Sequence, residues 1–218
     1  MAFIQKAKAS LGDVIMKGVL TPTTSTAFDT TQNELWTGAV TAVASQITSI
    51  GVTCFTTNQA LDFPRQPGAP VIFNQDWVST QIDTCTALVA QINAAALDVD
   101  SPLYGLVSAA STGGGGYTIT TTDPSLVLQF DNLVRTTITK TLSGFDLSTF
   151  QGNCIVVATT TTAINYNELG VAATAGVGIL VGAGAPFDII GNANILNFRC
   201  IEASGASPAT VNYEIYVG

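Results

Sequence analysis

No histidine occurs in this chain, and only 10% of its residues are charged. Histidine is the usual proton carrier near neutral pH and a common zinc ligand. Its absence removes Ser–His and Cys–His nucleophile pairs and makes a zinc site a poor reading. The four cysteines, Cys54, Cys85, Cys154 and Cys200, form no C-x-x-C pair. They are too few for a disulfide scaffold in a chain of this length, and Cys85 and Cys154 sit in apolar runs that predict buried free thiols. There is no G-x-S-x-G elbow, no Gly-Lys-Ser/Thr after any glycine cluster, and no internal repeat of solenoid length. No continuous apolar stretch follows the N-terminal lysines, so no signal peptide is read. Basic residues are scarce too. Seven Lys and Arg against fifteen Asp and Glu give a net charge of −8, which argues against a nucleic-acid partner.

What remains is Thr, Ala, Gly and Val. Hydrophobic residues make up 47% of the 218 and mean hydropathy is +0.40. A free monomer with large apolar patches is an aggregation liability, so this composition predicts surface that other chains cover. Lys6, Lys8 and Lys17 against Asp13 leave the first seventeen residues at +2 and the remainder at −10. A slightly basic arm on an acidic body fits docking on an acidic neighbour, and a solvated helix end fits equally well.

Helical spacing over residues 3–17 puts Ile4, Ala7, Leu11 and Ile15 on one face beside Phe3 and Val14, with Gly18 as a stop. Trp36, Val40, Val43, Ile47 and Ile50 also recur at helical spacing, although the Thr content keeps strand open. Residues 62–70 hold three prolines and read as a loop or extended arm. Residues 79–97 are the best helix: Ile82, Cys85, Val89, Ile92 and Ala96 share a face, Asp83 sits in the first turn, and Ser101-Pro102 follows the end. Gly113–Gly116 is the strongest candidate boundary. Beyond it the period becomes two, with strands expected at 117–121, 126–130, 133–142, 154–159, 177–181, 187–190, 196–203 and 210–217. The last two are expected to pair as a hairpin turning at 204–208. Val211, Tyr213, Ile215 and Val217 then form one apolar face. The fold class is therefore mainly β: an antiparallel, jelly-roll-like β-sandwich in the C-terminal half and a helix-containing N-terminal half. The expected domains are 1–112, an attachment region, and 117–218, the sandwich.

Candidate sites weigh little against structural readings. Gly176, Gly178, Gly182 and Gly184 lack the spacing of a phosphate loop and read as a strand or bulge that another backbone approaches. Asp98 and Asp100 are two carboxylates without further cation ligands, so a solvated helix end is the better reading. Asp29 with Glu34, and Asp123 with Asp131, could be acid/base pairs, but sequence does not place them in a cleft. Trp36, Phe63, Phe73, Trp77 and Tyr104 could form a glycan shelf, or serve as core and interface anchors. Residues 169–187 are uncharged and near the ~20 residues that cross a bilayer. They are also Gly- and Ala-rich, contain Pro186 and lack anchoring ends, so a buried strand pair is expected and no membrane partner. No catalytic residue, metal or cofactor is assigned.

The C-terminal quarter carries a resemblance. A Gly/Ala-rich segment is followed by Asn194–Ile201 (NILNFRCI), a Gly/Ser turn at Gly205–Ser207 and a terminal strand at Thr210–Val217. This order resembles the endings of tailed-phage virion proteins. The resemblance implies a non-enzymatic structural subunit, assembled in the host cytoplasm and residing in the virion. It also implies a homo-oligomer, with a trimer favoured, bound to phage capsid or tail proteins. A capsid decoration (cement) protein is the expected role, a tail, spike or fibre component or a cell-surface glycan-binding adhesin the alternative. Phe3, Ile4, Leu11, Ile15, Val211, Tyr213, Ile215 and Val217 are the expected interface.

Overall fold

The structure, a computed structural model, describes residues 14–58, 63–64, 69–150, 152–203 and 208–217, without the side chains of 57, 58, 63 and 64. It is mainly β, with antiparallel sheets throughout. In chain order the elements are β1 (Val14–Leu20), β2 (Thr31–Gln32), β3 (Leu35–Val40), β4 (Ile47–Asn58), β5 (Phe63–Pro64) and β6 (Val71–Asp76). Then come α1 (Gln81–Leu97), β7 (Val107–Gly113), β8 (Gly116–Thr121), β9 (Leu126–Val134), β10 (Thr136–Leu142) and β11 (Phe145–Asp146). The chain continues through β12 (Cys154–Thr160), β13 (Ile164–Asn167), β14 (Ile179–Val181), β15 (Pro186–Ile190), α2 (Asn192–Asn197), β16 (Arg199–Glu202) and β17 (Val211–Val217).

Two compact units divide the chain. One is Thr31–Asp146; the other joins the chain up to Thr30 with the chain from Leu147 onward. The expected division into 1–112 and 117–218 is therefore not the observed one. The glycine run closes the β7–β8 hairpin, where Gly113, Gly114 and Gly115 all take positive φ. Three successive left-handed residues demand glycine, and a hairpin tip and a linker look alike in sequence.

In the Thr31–Asp146 unit, one sheet runs β10-β3-β8-β7, and β4 pairs β6, β9 and β5 in another. The helix forms where its period predicts. Thr80 caps it by accepting from the Asp83 N–H at 3.1 Å, and Ser79 and Thr80 hydroxyls donate back to the Asp83 carboxylate. Those two bonds hold Asp83 below its ordinary pKa. Cys85, Leu88, Val89, Ile92 and Ala96 bury against Ile50, Val52, Phe73, Val107, Tyr117, Ile119 and Leu128. Ile82, expected on that face, is exposed instead. Polar side chains of α1 reach an edge strand of each sheet. Asn93 exchanges two hydrogen bonds with the Ala109 main chain on β7, and Gln91 donates to Asn74 and Gln75 on β6. The helical spacing from Trp36 to Ile50 is a coincidence of two strands, β3 and β4, separated by a turn with Ser45 at positive φ.

In the other unit, one sheet runs β1-β17-β12-β15 and a second runs β14-β13-β16. Met16, Leu20, Val211, Tyr213, Ile215, Val156 and Ile189 are buried in the first sheet. Phe198 stacks on Phe28 with ring centres 4.0 Å apart and also meets Tyr166 and Phe187. Tyr213 tilts against Phe28 and its hydroxyl bonds the Asp29 backbone. Two expectations fail here. Residues 14–17 are strand, not helix, and Gly18 lies inside β1 because the Tyr213 ring occupies the space a Cβ would need, 2.3 Å away. The rest of the expected helix, 3–13, lies outside the described residues. Residues 196–203 and 210–217 are not a hairpin either. Residues 196 and 197 end α2, β16 pairs β13, and β17 lies between β1 and β12.

Candidate functional site

A buried polar cluster surrounds Glu34, which is 1% exposed. One carboxylate oxygen accepts from the Trp36 indole and, at 3.1 Å, from the Leu128 N–H; the other accepts from Lys140 at 3.0 Å. The Lys140 ammonium also lies 5.2 Å from the centre of the Trp36 ring. Glu34 thus fastens β9 and β10 to the start of β3. Its oxygens are occupied by the fold, whereas a general base must turn one toward substrate. Cys54, on β4, is pushed up to about 11 by burial first and by the Glu34 charge second. Burial alone pushes Cys154 to about 11 and Cys200 to about 12. All four cysteines are free, and Cys85, Cys154 and Cys200 are buried. Thiols held protonated in this way are poor nucleophiles at neutral pH.

Two other candidate carboxylates, Asp123 and Asp98, accept local hydrogen bonds. Asp123 accepts from the Ser125 N–H and hydroxyl, which lowers its pKa. Asp98 ends α1 and accepts from the Asp100 N–H at 3.1 Å, and both are exposed, as a solvated helix end requires. Among the described residues no three of Cys, Asp and Glu group to hold a metal ion. Among the described side chains the aromatic shelf is not assembled: Phe73 belongs to the core, Trp77 packs against it, Trp36 stands edge-on to Phe130 and Tyr104 is exposed, while the Phe63 side chain lies outside the described residues.

The expected interface residues have mixed fates. Val211, Tyr213 and Ile215 are buried in their own unit, so they build the core and are not a docking face. Ile15 and Val217 are half-buried, and Phe3, Ile4 and Leu11 lie outside the described residues. Exposed apolar side chains are scattered over both units, and one uncharged stretch gathers several of them. Leu169, Val171, Val177, Ile179 and Leu180 are each at least 54% exposed, within a stretch that has no charge between Glu168 and Asp188. The buried strand pair expected there is instead a loop, the edge strand β14 and the first residues of β15, and the two strands lie in different sheets. No helix among the described residues is long and apolar enough to cross a membrane. Gly178 sets the approach to β14. It takes φ +108°, and a Cβ on it would fall 2.5 Å from the Tyr166 carbonyl oxygen. Of the four glycines expected to admit another backbone, only Gly178 does so; a Cβ on Gly176, Gly182 or Gly184 would meet nothing within 4 Å.

Sequence reasoning missed the Glu34–Lys140 pair and the stack on Phe198. The first joins residues far apart in the chain, and only the second had a local trace, the alternation of Phe198 and Cys200. No protein-family model matches the chain, and no curated protein matches it.

Proposed function

We propose that the chain is a structural subunit of a tailed-phage virion, a capsid decoration protein that binds copies of itself and of the shell. The observation that carries this reading is the uncharged, exposed apolar stretch from Leu169 to Leu180 on a chain of net charge −8. Such a surface loses free energy in water and regains it when another chain covers it. The order of the C-terminal segments, similar to virion-protein endings, adds the phage context. In this role the work is mechanical: many modest contacts, each burying apolar surface, sum to resistance against rupture of the head. The acidic remainder keeps finished particles apart.

Mass spectrometry and electron microscopy of purified particles from the phage that encodes the chain test this reading. Many copies on the head, and heads that rupture at lower temperature when the gene is deleted, are expected. Copies confined to the tail would move the role to a tail or spike component. Absence from the particle would refute it.

A further inference from the structure

The sheet β14-β13-β16 has two edges, and they differ. The β16 edge is closed by the chain itself: Thr26 and Cys200 exchange two main-chain hydrogen bonds of 2.8 Å, and the Glu202 N–H donates to the Pro22 carbonyl at 2.9 Å. The β14 edge has no strand partner among the described residues. Successive side chains of a strand point to opposite faces. Ile179 is 54% exposed and Leu180 65% exposed, so each face of β14 is open at one of these residues, while Val181, on the Ile179 face, is buried. Edge strands are commonly guarded by charge or proline. β15 carries Pro186 and Asp188, whereas β14 and its approach carry neither.

We infer that β14 is a self-recognition edge, pairing antiparallel with β14 of a second copy about a two-fold axis near Leu180. This deepens the proposed function and rests on its reading of the chain as an assembling subunit. Two observations select a second copy. Copies of an acidic chain repel one another, and repulsion is weakest where an uncharged surface meets another. Head-to-tail addition onto the same sheet is blocked, because residues 22–26 already occupy the β16 edge. The open edge therefore meets its own kind, which makes the contact isologous and closed. Three residues supply few main-chain hydrogen bonds, so the affinity resides in the apolar side chains, with Gly178 holding the strand's approach in place. The contact yields pairs, in contrast to the trimer expected from the resemblance.

Light scattering coupled to gel filtration tests this on the full chain. The wild type should form a species of twice 22.5 kDa. Leu180→Lys and, separately, Leu180→Glu place like charges across the axis and should each raise the dissociation constant by roughly a hundredfold. Mixing the two variants should restore the pair, because opposite charges then face each other. Val19→Lys, at an exposed site on β1, should pair as the wild type does. Leu180 is exposed, so both variants should keep the wild-type circular dichroism. A monomeric wild type at every concentration, pairing unaffected by either charge, a three-fold complex that survives them, or no rescue on mixing would overturn the assignment. Detection in virions is a separate readout: a monomer found on heads would sink the edge contact and leave the proposed function standing.

Discussion

The two units use the same Thr-, Ala- and Val-rich vocabulary to different ends. The Thr31–Asp146 unit is one unbroken stretch with a core of aliphatic side chains around α1. It spends polar side chains on its own edges, Asn93 on β7 and Gln91 on β6, and buries an ion pair at Glu34. The other unit is gathered from two distant stretches and centres on stacked aromatics. Among the described residues no strand pairs the outer edge of β14, and the apolar approach to it is exposed. Both units expose apolar side chains, Val78, Leu97 and Val99 in the first and Leu169 to Leu180 in the second. What sets the second apart is that its exposed apolar residues gather in one uncharged stretch beside a strand edge.

The largest expected effect comes from removing the centre of the aromatic stack. Phe198→Ala should cost about 3–5 kcal/mol in urea unfolding. Hydrogen exchange should show lost protection in β12, β13 and β17 before β4 and β8; uniform loss would mean that the units unfold as one. The converse is Glu34→Ala. Lys140 is partly exposed and hydrates when abandoned, but the Trp36 indole and the Leu128 N–H lose their acceptor. We expect a loss of about 2–3 kcal/mol, with exchange rising first in β3, β9 and β10. A change near zero would show that the pair adds specificity without stability.

Alkali separates the units less sharply. The folded state raises the thiols of Cys54, Cys154 and Cys200 from 9.0 to about 11, 11 and 12. A raised acid favours the protonated fold, so this contribution is complete below pH 9 and is lost as pH climbs toward 11 and 12. The melting temperature should be level from about pH 6 to 8, since no histidine titrates there, and should fall above pH 9. Cys200→Ala should lessen that fall, and an unchanged slope would remove the thiol from the account. The smallest effect is at the helix cap, where Thr80→Ala should cost about 1 kcal/mol. The same loss from Thr86→Ala, which donates only to its own helix at Ile82, would show that capping is not the cause.

Features with a local cause were legible in the sequence. The α1 period and its Thr80–Asp83 start are local, and so is the alternation of Val211, Tyr213 and Ile215. What misled was borrowed space and borrowed partners. Met16 and Leu20 face inward with Gly18 between them, and the alternation of β1 is hidden because Tyr213 supplies the missing bulk. β16 and β17 look like a hairpin because each alternates, yet each finds its partners in other strands. Glu34 looked like a possible acid until Lys140, on β10, took its second oxygen. The interface set was drawn from the cleanest apolar pattern, and the cleanest pattern belongs to the core. One concentration of exposed apolar residues was marked instead by a stretch with poor strand periodicity and many glycines.

β17 lies in the middle of its sheet, between β1 and β12, although it comes later in the chain than either. During synthesis, residues 31–146 are all present well before this strand exists, and that unit can close while the ribosome is still at work. The sheet that needs β17 must wait with β1 on one side of the gap and β12 on the other. A ribosome that stalls before residue 211 would release a chain with one finished half and a second half open along both flanks of the vacancy.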